Sequence, residues 1–109
     1  MLRSIKSPQR LPRQLHFKVD GTGTASIVIG SKDATLTDDG TGLYTLTFAE
    51  PFARPPVVVC TNISAAVRLF RVVSATATAC QIAVFDASGV DQDADFFCVV
   101  QGFDAADEY

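Results

Sequence analysis

One segment, Gly40–Val59, constrains the fold of this chain more than any other, and it reads G-T-G-L-Y-T-L-T-F-A-E-P-F-A-R-P-P-V-V-V. From Tyr44 to Phe48, large apolar residues alternate with threonines, which is the period of a half-buried β-strand. Three prolines then interrupt pairing, because proline has no N–H to donate to a ladder. A second apolar strand, Val57–Cys60, follows at once. This order is typical of an antiparallel β-sandwich.

The same period and similar turns recur along the chain, and no stretch has the 3.6-residue period of a helix. Strands are predicted at 15–19, 25–29, 34–37, 44–48, 57–60, 67–74, 79–85 and 95–103. The fold class is therefore all-β, an antiparallel and jelly-roll-like β-sandwich of seven or eight short strands. At 109 residues the chain has the size of one domain. We expect an extended arm over residues 1–14 and a sandwich domain over residues 15–109.

Charge divides the chain at the same place. Residues 1–18 contain five basic residues and no acidic one, whereas the rest contains four basic and twelve acidic residues. Pro8 and Pro12 interrupt the first fourteen residues, so they are expected to be extended and to order on a partner. A solvated tail is the alternative. Nucleic acid is not an expected partner, because the acidic body would repel phosphate.

The composition also restricts the class of protein. The apolar fraction of 48% is ample for a folded core. The longest apolar run has five residues, Phe96–Val100, so no membrane partner is expected. The first residues have no apolar core of the kind a secretory signal needs. The protein is expected to be made and kept in a cytoplasm until it is assembled elsewhere.

Acidic residues alternate along Asp91-Gln-Asp93-Ala-Asp95, as in the first half of a calcium-binding loop. An EF-hand loop needs glycine at its sixth position and glutamate at its twelfth, where this chain has Phe96 and Gly102. A solvated acidic turn that discourages edge-to-edge strand pairing is the better interpretation. No metal site and no cofactor are predicted.

Candidate nucleophiles do not form a recognisable catalytic pattern. Cys60, Cys80 and Cys98 each lie in an apolar strand, and an odd count without C-x-x-C argues against a disulfide framework or a zinc site. We expect them to be buried free thiols that pack as small hydrophobes. The single histidine, His16, is expected on the outer face of the first strand. The chain is predicted not to be an enzyme.

Arg68 and Arg71 lie three residues apart in a predicted strand, so they point to opposite faces. One of them should therefore face the buried side, where a charge needs an acidic partner. That partner could come from the same chain or from a neighbouring subunit. The two arginines are candidate charges at a subunit interface, although a strand end that leaves the core would explain them equally well.

The Gly40–Phe48 strand, the Pro51-Phe52 and Pro55-Pro56 corner and the closing strand Phe96–Phe103 together resemble small β-sandwich domains of bacteriophage virion proteins. The resemblance covers roughly residues 34–103. It implies a homotrimer with a structural or adhesive role on a phage particle. Because only a short arm precedes the sandwich, a capsid decoration or cement protein is favoured over a tail-fibre tip.

In this hypothesis the arm docks on the major capsid protein or another virion protein and stabilises the assembled head. Basic arm residues would meet carboxylates and apolar ones would fill small pockets; the residues are Leu2, Arg3, Ile5, Lys6, Arg10, Leu11 and Arg13. The expected localisation is the virion, assembled in the host cytoplasm. A tail-fibre, receptor-binding or glycan-binding module is the alternative, although the chain has no tryptophan for a sugar platform.

Overall fold

A computed structural model of the chain describes residues 12–104, which form two antiparallel sheets packed face to face. No helix occurs among these residues, so none could span a membrane. The all-β sandwich predicted from the sequence is confirmed, with eight strands. They are β1 (Arg13–Asp20), β2 (Ser26–Ile29), β3 (Ala34–Gly40), β4 (Leu43–Phe48), β5 (Val57–Asn62), β6 (Leu69–Ala75), β7 (Ala79–Phe85) and β8 (Phe96–Gly102).

Each sheet has four strands, and we call them sheet A (order β2-β1-β8-β5) and sheet B (order β3-β4-β7-β6). Hairpins β1–β2, β3–β4 and β6–β7 each stay within one sheet. The other connections cross between the sheets, and the proline-rich corner predicted from the sequence is the crossing from β4 to β5. The first and last strands pair along seven positions in the middle of sheet A.

Several strand boundaries differ from those that the sequence pattern suggests. Strand β1 begins at Arg13, so the last two residues of the expected arm belong to sheet A. Strand β3 continues to Gly40 because Asp38 pairs with Tyr44 in the ladder, although aspartates usually mark a turn. Strand β6 begins at Leu69, two residues later than expected.

The core lies between the sheets and follows the alternation read from the sequence. Tyr44, Leu46 and Phe48 of β4 are buried, and the neighbouring threonines are not. Strands β7 and β8 alternate in the same way, burying every second residue. The ring centre of Phe96 in sheet A lies 5.6 Å from that of Tyr44 and 5.2 Å from that of Phe70, both in sheet B, and these contacts join the two sheets.

Gly42 shows why the β3–β4 hairpin needs glycine. Its φ of 67° is left-handed, and a Cβ there would lie 2.4 Å from the carbonyl oxygen of Val84. This close approach lets the Gly42 carbonyl accept a hydrogen bond from the Val84 N–H at 2.7 Å. The hairpin is thereby joined to β7, the next strand of sheet B.

Candidate functional site

Most of the predicted docking arm lies outside the described residues. Leu2, Arg3, Ile5, Lys6, Arg10 and Leu11 precede residue 12, whereas Arg13 is the first residue of β1. The structure therefore places one of the seven candidate docking residues, and that residue belongs to the sandwich. The contacts of Arg13 define where the arm joins the body.

The Arg13 side chain is held on three sides and is only 19% exposed. Its Nη2 donates to the Glu50 carbonyl oxygen at 2.8 Å, and its Nη1 lies 3.4 Å from Oε1 of the same residue. The buried Nε lies 3.1 Å from Oδ1 of Asp104, without the alignment of a hydrogen bond. The guanidinium stands 4.0 Å above the ring centre of Phe52. Arg13 is committed to contacts within its own chain.

The expectation that Arg68 or Arg71 faces the core is wrong, because no charged residue is buried within residues 12–104. Arg68 precedes β6, so it escapes the strand alternation that the expectation assumed. It donates through Nε to the Asp93 carbonyl oxygen at 3.3 Å and through Nη1 to the Val67 carbonyl oxygen at 2.8 Å. Arg71 lies within β6 and is exposed. Their role at a subunit interface stays a prediction.

The alternating aspartates before β8 do more than form a solvated turn. Asp91 is exposed as expected, but Asp93 and Asp95 are half-buried. Oδ1 of Asp93 accepts hydrogen bonds from the Gly42 N–H at 2.8 Å and lies 3.0 Å from the Tyr44 hydroxyl. Asp95 accepts the Gly21 N–H at 3.1 Å. These carboxylates join the β7–β8 loop to two other turns at the same end of the sandwich.

Burial raises the pKa of Tyr44, and the hydrogen bond to Asp93 and its negative charge raise it further. The hydroxyl therefore stays a proton donor at ordinary pH, and both Asp93 and the Gly21 carbonyl oxygen, 3.1 Å away, can accept from it. No group of three metal-ligating side chains occurs among residues 12–104. The arrangement is suited to holding loops in place.

Two of the three cysteines are neighbours on adjacent strands of sheet A. Cys60 of β5 is directly opposite Cys98 of β8, while Cys80 faces inward from sheet B. Cys80 and Cys98 are buried, as predicted, and Cys60 is half-buried. Burial raises the pKa of Cys80 to about 12, and the pKa of Cys98 is raised by a hydrogen bond with Cys60 and by burial. The thiolate form that a nucleophile needs is therefore disfavoured at both buried positions.

The outer surface of sheet A carries a shallow hollow of about 360 Å³. Its sides come from all four strands: His16 and Lys18 of β1, Ile29 of β2, Thr61 of β5, and Phe97 and Val99 of β8. His16 lies on the outer face as predicted, with its Nε2 3.2 Å from Oε1 of Gln14. This hollow is not among the features predicted from the sequence. Its signal was the apolar residue at every position of 96–100, which exceeds what one buried face requires.

A second hollow, of about 440 Å³, lies beside the β3–β4 hairpin and is lined by both charged and apolar side chains. Asp39, Arg71 and Asp91 contribute its charges, and Gly40 and Gly42 form part of its wall. Hydrogen-bonding groups of this kind suit a sugar, but the lining contains no aromatic ring on which a sugar could stack.

Comparisons with known proteins assign no relative to this chain. No protein-family model, no curated protein and no solved structure matches it. Its function is therefore inferred from its own residues and from the resemblance of its strand and corner pattern.

Proposed function

We propose that this protein is a structural protein of a bacteriophage virion, a capsid decoration or cement protein that docks as a trimer on the assembled head. The observation that carries the proposal is the charge division at the point where Arg13 joins the arm to the sandwich. Residues 1–11 contain three basic residues and no acidic one, whereas residues 12–104 contain six basic and ten acidic residues. A basic segment attached to an acidic body suits a partner surface rich in carboxylates.

Within this proposal, Arg13 has a structural role rather than a docking role. Because its guanidinium is paired with Glu50 and Asp104 and lies over Phe52, it holds the first strand in place. The docking cations are then Arg3, Lys6 and Arg10, with Leu2, Ile5 and Leu11 as apolar contacts. Each exposed ion pair adds only ~0.2–1 kcal/mol. Affinity comes from several pairs together and from the three arms of a trimer acting at once.

The sandwich domain is a stable base for these arms. The proposed role is not enzymatic. In a decoration protein the acidic loops would face solvent, where they keep coated particles apart. Turns at the Tyr44 end of the sandwich are fixed by Asp93 and Asp95. Such a body would keep its shape while the arms bind.

The first test is the copy number of the protein in particles purified from cells that encode it. Mass spectrometry of those particles should find it in proportion to the capsid subunits if it decorates the head. A handful of copies per particle would instead make it a tail protein, and complete absence would overturn a virion role.

A charge variant tests the arm. Full-length protein with Arg3→Gln, Lys6→Gln and Arg10→Gln should occupy undecorated particles at least about tenfold more weakly than the wild type. The control replaces two exposed basic residues of the body, Lys32→Gln and Arg54→Gln, and should bind as the wild type does. Equal loss in both variants would show that overall charge drives binding, which would overturn docking by the arm.

A glycan-binding module of a tail fibre is the second candidate, and the charged groups around the hollow at Arg71 favour it. It predicts binding to host-cell glycans by purified protein without any particle. This candidate would be favoured over capsid decoration if the wild type bound no particles and the single substitution Arg71→Gln abolished glycan binding.

A further inference from the structure

The outer surface of sheet A exposes more apolar side chain than folding requires. Five large residues on it are 37% to 67% exposed, in the order Val57, Val59, Ile29, Phe97 and Val99 from most to least exposed. They share this face with Gln14, His16, Lys18, Thr61 and Gln101. We call these ten residues the outer A face. Isolated exposed apolar residues are ordinary, whereas a continuous group marks a contact surface.

The strand register shows that the apolar residues of β5 and β8 form one continuous group. Val59 is directly opposite Val99, and Phe97 is opposite Thr61. Directly opposite side chains on one face are ~5 Å apart, so these rows touch. Strand β1 adds polar residues beside this group, and Ile29 of β2 lies beyond Lys18.

Charge favours another copy of this chain as the occupant. Of the ten acidic residues in the described part of the chain, only Asp20 follows the alternation of β1 onto this side of sheet A, at the end of the strand beyond Lys18. The charges of Lys18 and Asp20 cancel, so this side of the sheet has no net charge. Elsewhere the acidic excess makes two copies repel each other. The outer A face is therefore a surface on which copies can meet with little electrostatic repulsion.

The size of the face fits three copies around one axis. Four strands ~4.8 Å apart make a sheet about 19 Å wide, and three such sheets arranged as a triangle have their centres about 5.5 Å from the axis. That is close to half of the ~10 Å that separates packed sheets, so the side chains of three faces fill the centre. Six-residue strands give each face a projected area of about 380 Å².

We propose that copies of this chain assemble through the outer A face, with three such faces turned toward a common axis. This rests on the trimer of the proposed function and names its interface. The area per copy is about half of the ~800 Å² that each partner of a standard interface contributes. The trimer is therefore weak in dilute solution and is reinforced when three arms bind one particle.

The test is the mass of the full-length protein in solution, measured by analytical ultracentrifugation from low micromolar to near-millimolar concentration. The wild type should pass from monomer to trimer across this range. Val57→Thr, Val59→Thr and Val99→Thr together keep the β-branched shape but add hydroxyls to the face. This variant should need at least about tenfold higher concentration to associate. The control, Val67→Thr, Val73→Thr and Val90→Thr, changes three exposed valines outside the face and should associate as the wild type does.

A measurement on the unaltered protein covers the case in which the face variant does not fold. Hydroxyl-radical labelling of Phe97 should fall as concentration rises, while that of Leu69, also partly exposed, should stay constant. A monomer at every concentration, a trimer that the face variant leaves unchanged, constant Phe97 labelling or a dimer would each overturn the proposal. A monomeric wild type that still coats particles would overturn this interface alone. A trimer that binds no particle would overturn the proposed function and leave the interface intact.

Discussion

At the scale of single residues, the Tyr44 hydroxyl shows how a polar group is accommodated at the edge of the core. It belongs to a fully buried ring and lies within hydrogen-bonding distance of both Asp93 and the Gly21 carbonyl oxygen. The alternation of β4 predicted that Tyr44 faces inward. The partner could not be predicted, because Asp93 is 49 residues away and its sequence neighbours suggest a solvated acidic turn. The tertiary fold brings Asp93 next to Tyr44, and the local sequence pattern does not predict this contact.

Tyr44→Phe should lower the free energy of unfolding by about 1–2 kcal/mol, because the Gly21 carbonyl oxygen and the half-buried Asp93 carboxylate lose a hydrogen-bond donor while the ring still fills the core. Urea denaturation followed by circular dichroism measures the change. A double-mutant cycle with Asp93→Asn isolates the pair and should give a coupling of at least about 0.5 kcal/mol. Additive effects of the two substitutions would contradict this account of the end of the sandwich.

At the scale of elements, the Asp86 carboxylate holds the first part of the loop from β7 to β8. Oδ1 of Asp86 accepts hydrogen bonds from the Ser88 N–H at 2.9 Å and the Val90 N–H at 3.0 Å. Its Oδ2 accepts Nε2 of Gln92 at 3.1 Å. The Val90 hydrogen bond is the main reason why the pKa of Asp86 lies below its ordinary value of 3.8. The loop is thus stabilised by the ionised form.

Acid should weaken this loop, because its hydrogen bonds require the ionised Asp86 carboxylate. A pKa that is lower in the folded state stabilises the fold above the unfolded value, and this stabilisation is lost as pH falls through the lowered pKa. The unfolding free energy of the wild type should therefore fall more steeply than that of Asp86→Asn as the pH falls below about 4. Asp91→Asn, in the same loop, is the control. Equal slopes for Asp86→Asn and the wild type would contradict the prediction.

Strand positions were largely readable from the sequence because one face of each strand packs on the core. Strand β7, Ala79–Phe85, has the predicted bounds, and β4 buries the predicted residues. The predicted strand bounds are wrong where the residue type suggests a different local structure. Asp38 and Asp39 suggest a turn yet extend β3, whereas Val67 and Arg68 of the expected strand lie before β6. For the candidate site, the pairing of Arg13 could not be predicted from the sequence, because Glu50 and Asp104 are distant along the chain.

At the scale of the whole molecule, the end of the sandwich near Arg13 is closed by Phe52. This ring is 2% exposed and packs edge-on against Phe48 with 5.2 Å between ring centres. Its N–H donates to the Ala77 carbonyl oxygen at 2.8 Å, and its backbone forms a bridge with Asp104. The proline-rich corner thus places one aromatic ring between the two sheets, at the point where the arm joins the body.

Phe52→Ala should lower the free energy of unfolding by about 3–5 kcal/mol, because truncating a buried aromatic ring leaves a cavity that the rigid corner cannot fill. It also removes the ring under the Arg13 guanidinium. Denaturant unfolding measures the loss, and Phe97→Ala is the matched control: its ring is 44% exposed and its removal should cost about 1 kcal/mol or less. If both variants lost the same stability, Phe52 would not be the closure of this end. If only Phe52→Ala loosens this end of the sandwich, hydrogen exchange should accelerate first in β1 and β8. Strand β1 begins and strand β8 ends beside the Phe52 ring.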